Sequence, residues 1–360
     1  MPRYLPEPSS SAAARIGVLL INMGTPDAPT APAVRRYLAE FLSDSRVIEM
    51  PCWLWKPILH GIVLRTRPAK SAEKYRKIWT REGSPLLVHT QTQRDMLQGY
   101  LGETLKREGL PADCVIVEMG MRYGNPSVAR GIETLRQQGC TSLLLLPMYP
   151  QYAASTTGSA FDAVAACLQQ RRFVPALRMI GSYADHPAYI EALKERVQKY
   201  WQREGFTEHL VVSFHGAPEK TYKDGDPYYD ECCRTAQCLT TQLGLKKENW
   251  TLSFQSRFGR SHWLQPYTFD VLTALGKNKL RRVDVVCPGF VSDCLETLEE
   301  IGIVGKEVFQ KAGGGEFNLI PCLNDFPPWI SAMVEILIPE VRGILKPQAA
   351  LESPKNARIF

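Results

Sequence analysis

Short apolar runs alternate along the chain with segments whose apolar residues recur every three or four positions. The runs 16–21, 143–146, 210–212 and 283–287 are rich in Val, Leu and Ile and are bounded by Gly or Pro. Continuous apolar strands of this kind are buried on both faces, so each sheet should carry helices on both sides. Strands alternating with helical patterns predict parallel α/β architecture. Helices are expected over 161–169, 296–303 and 329–345, the last with the apolar stripe Ile330, Met333, Val334, Ile336 and Leu337.

Two pairs of runs repeat in the same order. Ile16 to Asp27 parallels Leu210 to Glu219, a buried strand leaving in each case through Gly-x-Pro-acid. Leu143 to Pro150 parallels Val283 to Phe290, each followed by a polar turn and a helix. The pattern predicts two similar α/β halves, 1–185 and 186–335, facing each other across a cleft. A tail over 336–360 should be helical at first and pack back on the first half. With 360 residues there is room for two cores of ordinary size.

Composition narrows the class. Hydrophobic content of 44% with 22% charged residues is that of a soluble globular protein. The net charge of +6 is scattered, without the basic block a nucleic-acid partner would need. Met1 to Arg15 lacks the apolar stretch of a secretory signal, and no window is long enough for a membrane span. The ten cysteines show no regular framework and read as reduced thiols of a cytoplasmic protein. No glycine-rich nucleotide fingerprint follows a strand.

The candidate chemistry sits at two strand ends. His215, in Ser213-Phe214-His215-Gly216, is expected just past the strand Leu210-Val211-Val212, where open α/β sheets place their sites. Imidazole there can accept a proton near neutral pH, or it can be hydrogen-bonded and idle. His209 is too far back for a metal pair, roughly 20 Å along an extended strand. After the strand ending at Cys287, Asp293, Glu296 and Glu300 fall at i, i+3 and i+7, one face of a helix. They can act as proton acceptors or cation ligands, while Asp293 and Glu296 also have the spacing of a capping box. Glu299 beside them reads as solvated.

The segment 51–65 is unusually apolar, with Trp53 and Trp55, and Pro57 should interrupt any helix there. It reads as an exposed lip for a planar apolar ligand or a membrane surface.

Seven motifs in order resemble the ferrochelatase family over about residues 16–330. They are Asn22-Met23-Gly24-Thr25-Pro26, Met121-Arg122-Tyr123-Gly124-Asn125-Pro126-Ser127, Tyr149-Pro150-Gln151-Tyr152 with Ser155-Thr156-Thr157, and Ser213-Phe214-His215-Gly216. Gln255-Ser256-Arg257-Phe258-Gly259, Trp263-Leu264-Gln265-Pro266-Tyr267-Thr268 and Asp293-Cys294-Leu295-Glu296-Thr297-Leu298 complete them. The resemblance implies two Rossmann-like lobes without a nucleotide, and insertion of Fe(II) into protoporphyrin IX, the last step of haem synthesis. It implies His215 as proton acceptor and iron ligand with Glu296 opposite, and Asp293, Glu296 and Glu300 passing protons or guiding the cation. Met23, Tyr123, Trp263 and Phe290 match pocket positions, and Arg122 with Ser155 and Thr157 should hold propionates. Iron is a substrate here, not a resident cofactor, and Zn(II) and Co(II) should also be inserted. A coproporphyrin III or cobalt chelatase, or a porphyrin or haem carrier without activity, are the alternatives; relatives acting on coproporphyrin commonly lack an apolar lip.

Two departures matter. Cys294 stands where a commoner family form has histidine, which thins the implied proton path. No cysteine follows Cys322, so the C-terminal iron–sulfur site of animal members is missing. Cys232, Cys233 and Cys238 lie close in sequence, but adjacent helical side chains diverge by about 100° and the two-residue gaps of cluster sites are lacking. No iron–sulfur cluster is expected.

Overall fold

The computed structural model describes residues 15–257, 259 and 261–349. The N-terminal segment read as lacking a signal therefore lies almost wholly outside the described residues, as do Phe258 and the end of the tail.

Among the described residues, eight strands form two four-stranded sheets. The first contains β1 (Arg15–Thr25), β2 (Val115–Gly124), β3 (Cys140–Pro147) and β4 (Ala176–Met179) in the order β2-β1-β3-β4. The second contains β5 (His209–His215), β6 (Trp250–Gln255), β7 (Arg282–Val286) and β8 (Glu316–Leu319) in the order β6-β5-β7-β8. Every pairing is parallel. The two orders are the same topology used twice.

Register carries the repeat down to single residues. Asn22 of β1 pairs with Met121, and Phe214 of β5 with Phe254. The amides of Met121 and Phe254 then donate to the carbonyls of Pro126 and Pro266, each at the end of a cis peptide bond. Met23 is therefore the counterpart of His215, one residue before Gly24 or Gly216.

The strands are buried on both faces, as their continuous apolar runs require. In the first sheet, Leu19, Ile21, Leu143 and Leu145 face the outer helices Val128–Gln137 and Ser159–Leu168. Ile16, Val18, Leu20, Leu144 and Leu146 face the interior. The second sheet divides likewise, Val211, Val283 and Val285 outward and Leu210, Val212 and Phe214 inward. The two inner faces share one core with the helices Pro85–Arg107, Pro187–Glu204 and Pro327–Ala349.

Other expectations shift at element ends. The tail is one helix from Pro327 to Ala349, so a boundary at 335 cuts through it. Its Glu340 and Arg342 pair with Arg178 and Glu108 of the first half. Pro57 does not end a helix. Cys52–Ile58 is helical through it, the next turn widens to a π-helix over Leu59–Val63, and Leu64–Ile78 continues. A proline has no N–H to donate, and a wide turn is a common way to absorb such a fault.

Candidate active site

His215 is the last residue of β5 rather than the first beyond it, and its side chain is exposed. The following glycine is required by close approach. Gly216 N donates to Gln255 O at 2.7 Å, and an added Cβ would stand 2.6 Å from that oxygen. The ring Nδ1 lies 2.6 Å from Gly216 O. A carbonyl only accepts, so Nδ1 carries the hydrogen and Nε2 of the neutral ring keeps its lone pair. Phe290 stands beside the ring, centroids 6.3 Å apart.

The acidic segment is built differently from an α-helical face. Glu296–Gly305 is a π-helix, and no side-chain cap bond closes its start, so the capping box is not formed. Asp293 precedes the helix, buried. Its Oδ1 accepts from Thr297 Oγ1 at 2.9 Å and its Oδ2 from Asn324 Nδ2 at 2.7 Å, while its amide donates to Asn324 Oδ1 at 2.8 Å. Asn324 is held in turn by Gln93, whose Nε2 reaches its carbonyl at 2.7 Å. Asp293 thus anchors the loop instead of lining an open face with its neighbours.

Glu296 and Glu300 stay together, four residues apart on the wide helix. Glu300 accepts from Ser256 N at 2.7 Å and Ser256 Oγ at 2.5 Å. Burial pushes its carboxyl up from the ordinary value and the neighbouring Glu296 adds to this, against the Ser256 donors and nearby His215. Glu299, read as solvated, is buried and paired with Lys74 at 2.9 Å and Lys77 at 3.5 Å. Those lysines lie on Leu64–Ile78, which also brings Tyr75 and Arg67 close to Glu296. Burial and then the Glu296 charge push the Tyr75 hydroxyl well up, while burial lowers Arg67 and Glu296 opposes that.

Around them, Met23, Trp263 and Phe290 are half-buried. Tyr123 is buried and Arg122 half-buried, and both bond Asp44. Asp44 Oδ2 accepts from Arg122 Nη2 at 2.5 Å, Tyr123 O–H at 2.8 Å and Ser159 Oγ at 2.5 Å. Arg122 Nε also donates to Ser159, at 2.9 Å to the carbonyl and 2.6 Å to Oγ. Burial works against the Asp44 charge, but these donors hold its carboxyl below the ordinary value. Thr157 is fully buried with no partner for Oγ1 among the described residues, and Ser155 is half-buried, both on the wide turn Ala154–Gly158. Among the described residues no three His, Cys, Asp or Glu side chains converge to hold a metal ion.

The lip splits in two. Trp53 is 75% and Ile62 61% exposed, with Met50, Leu54 and Ile58 also open. Trp55 is half-buried and donates from Nε1 to Leu42 O at 2.6 Å.

A family model described as Ferrochelatase matches residues 15–340. A protein named ferrochelatase from Methylibium petroleiphilum is 54% identical over 95% of this chain and 93% of its own length. Another from Nitrosomonas europaea is 48% identical over 99% and 97%. The chain belongs to the ferrochelatase family. It is an enzyme that inserts iron into a porphyrin in haem biosynthesis. Among solved structures, SirB from Bacillus subtilis with Fe3+ shares the fold, with a TM-score of 0.50 at 13% identity over 89% of this chain and 93% of that one.

Against the family expectations, the geometry brings together His215, Glu296 and Glu300 and sets Asp293 behind them. It pairs Arg122 and Tyr123 with Asp44. Asp44, Ser159, Lys74, Lys77, Tyr75 and Arg67 were missed. Only Gln255-Ser256 carried a visible signal, as part of a quoted motif without a role.

Proposed function

We propose that this ferrochelatase acts on protoporphyrin IX at the mouth formed by the ends of β1 and β5, with His215 as the proton acceptor. The observation that carries this is the His215 Nδ1 bond to Gly216 O, which leaves Nε2 with a lone pair on an exposed ring. A free-base porphyrin carries two inner N–H protons, and both must leave as Fe(II) binds the four nitrogens. His215 Nε2 takes one. Glu296 and Glu300 take the other and pass it to solvent, a role suited to a carboxyl whose affinity for protons is raised by burial. Glu296, opposite His215, is also the oxygen ligand that guides the incoming iron, with the histidine as its nitrogen ligand.

Met23, Trp263 and Phe290 supply apolar and aromatic contact for a planar ring. Such contact, made at the rim, can support a bent macrocycle whose nitrogens present their lone pairs to the metal. The half-buried Ser155 hydroxyl is the donor we assign to the propionates; Thr157 lies on the same turn but is fully buried.

No helix among the described residues is long and apolar enough to cross a membrane. The exposed Trp53, Ile58 and Ile62, beside exposed Lys56, Arg65 and Lys70, suit a cytoplasmic protein that rests on an anionic membrane surface. The same lip favours the apolar protoporphyrin over the four-carboxylate coproporphyrin III. Steady-state Fe(II) insertion with each porphyrin tests this. A clear preference for protoporphyrin is expected, and equal or reversed rates contradict it.

A further inference from the structure

We infer that the dipeptide Gln255-Ser256 is a positioning device that sets Glu296 and Glu300 relative to His215. The inference rests on the reading that those three groups carry the chemistry.

Gln255 is the cross-strand partner of His215, the last residue of β6 beside the last of β5. It is buried, and every polar atom of its side chain is occupied. Oε1 accepts from Ser213 Oγ at 2.8 Å, and Nε2 donates to Glu296 O at 2.7 Å. Its backbone carbonyl takes the Gly216 amide. One residue therefore bonds the turn after His215 and the first residue of the π-helix.

Ser256 continues the link. Its φ of 64° is in the left-handed region, which a residue with a Cβ adopts at a cost. That conformation aims the amide and the hydroxyl at the two oxygens of a single carboxylate, Glu300. Backbone that departs from its preferred region is retained where something else needs the geometry. Glu296 is held by its main chain and Glu300 by its carboxylate, so both are fixed from the strand that abuts His215.

The test separates the hydroxyl from the backbone. Glycine accepts the left-handed region freely, so Ser256→Gly removes only the Oγ donor and relieves strain. We expect kcat for Fe(II) insertion to fall about tenfold to a hundredfold, as for a lost hydrogen bond to a charged group, in both Ser256→Gly and Ser256→Ala. KM for the porphyrin should stay within about twofold, because the pocket walls are untouched, and the melting temperature of Ser256→Gly should not drop. On a Glu300→Gln background, adding Ser256→Gly should cost little more, since the partner is already altered. Normal turnover of Ser256→Gly, or an undiminished loss on the Glu300→Gln background, would overturn the inference. Normal turnover of Glu300→Gln alone would instead overturn the underlying reading of the site.

Discussion

Met23 and His215 occupy the same place in two copies of one topology. Met23 stands two residues before the end of β1 and His215 ends β5, each one residue before a glycine, and each has a neighbouring strand whose amide bonds a proline carbonyl. One copy offers a thioether and the other an imidazole. Of the two only imidazole accepts a proton near neutral pH.

Glu296→Gln keeps size and removes charge. Since no side-chain cap bond depends on Glu296, its loss should not unfold the start of the π-helix. We predict a drop in kcat of about a hundredfold, within the range for a lost acid–base group, with the melting temperature nearly unchanged. A destabilised protein of normal specific activity would return Glu296 to a structural role.

The two tryptophans of the lip should separate cleanly. Trp53→Ser removes an exposed ring, so binding to anionic vesicles should weaken while the melting temperature holds. Trp55→Ser removes a packed ring and its bond to Leu42 O, and should cost roughly 2 kcal/mol of stability. Unchanged vesicle binding in Trp53→Ser would remove the membrane role.

Glu133 gives a pH test away from the site. Arg136, and after it Arg171 and Gln137, hydrogen-bond its carboxylate against the effect of burial and hold its pKa at about 2. That is below the unfolded value of about 4.3. The ionised group therefore stabilises the fold above the unfolded value, and the gain fades as pH falls from there toward 2. Glu133→Gln should melt lower than wild type near pH 7, by an amount worth about 1 kcal/mol or less. The gap should narrow as acid is added, and a gap independent of pH would contradict the ion-pair account.

The cysteines make a colour test. Cys232 is buried on the helix Tyr228–Gln242 and burial pushes its thiol well up, which disfavours the thiolate a cluster needs. Cys233 and Cys238 are half-buried on the same helix. Protein purified without oxygen should be colourless before porphyrin is added. Acid-labile sulfide with visible charge-transfer absorption would contradict this.

Much of the architecture could be read from the chain because parallel strands announce themselves as Val and Leu runs, and because Gly-x-Pro-acid closes two of them. The shared core could not, since a strand's apolar run does not say which helix covers each face. The acidic segment was misread for a related reason. Spacing of three and seven assumes an α-helix, and the π-helix moves Glu299 onto Lys74 and Lys77 while Asp293 falls outside the helix. Arg122 looked available because its partner Asp44 lies far back in the chain, beyond any local pattern.

The central claim is that His215 takes a porphyrin proton, and the direct measurement is Fe(II) insertion into protoporphyrin IX under anaerobic steady state, wild type against His215→Ala, with porphyrin binding followed by fluorescence. The account predicts a loss of about a hundredfold or more in kcat, the range for removing a general base, with porphyrin bound as before. Near-normal turnover by His215→Ala would contradict it.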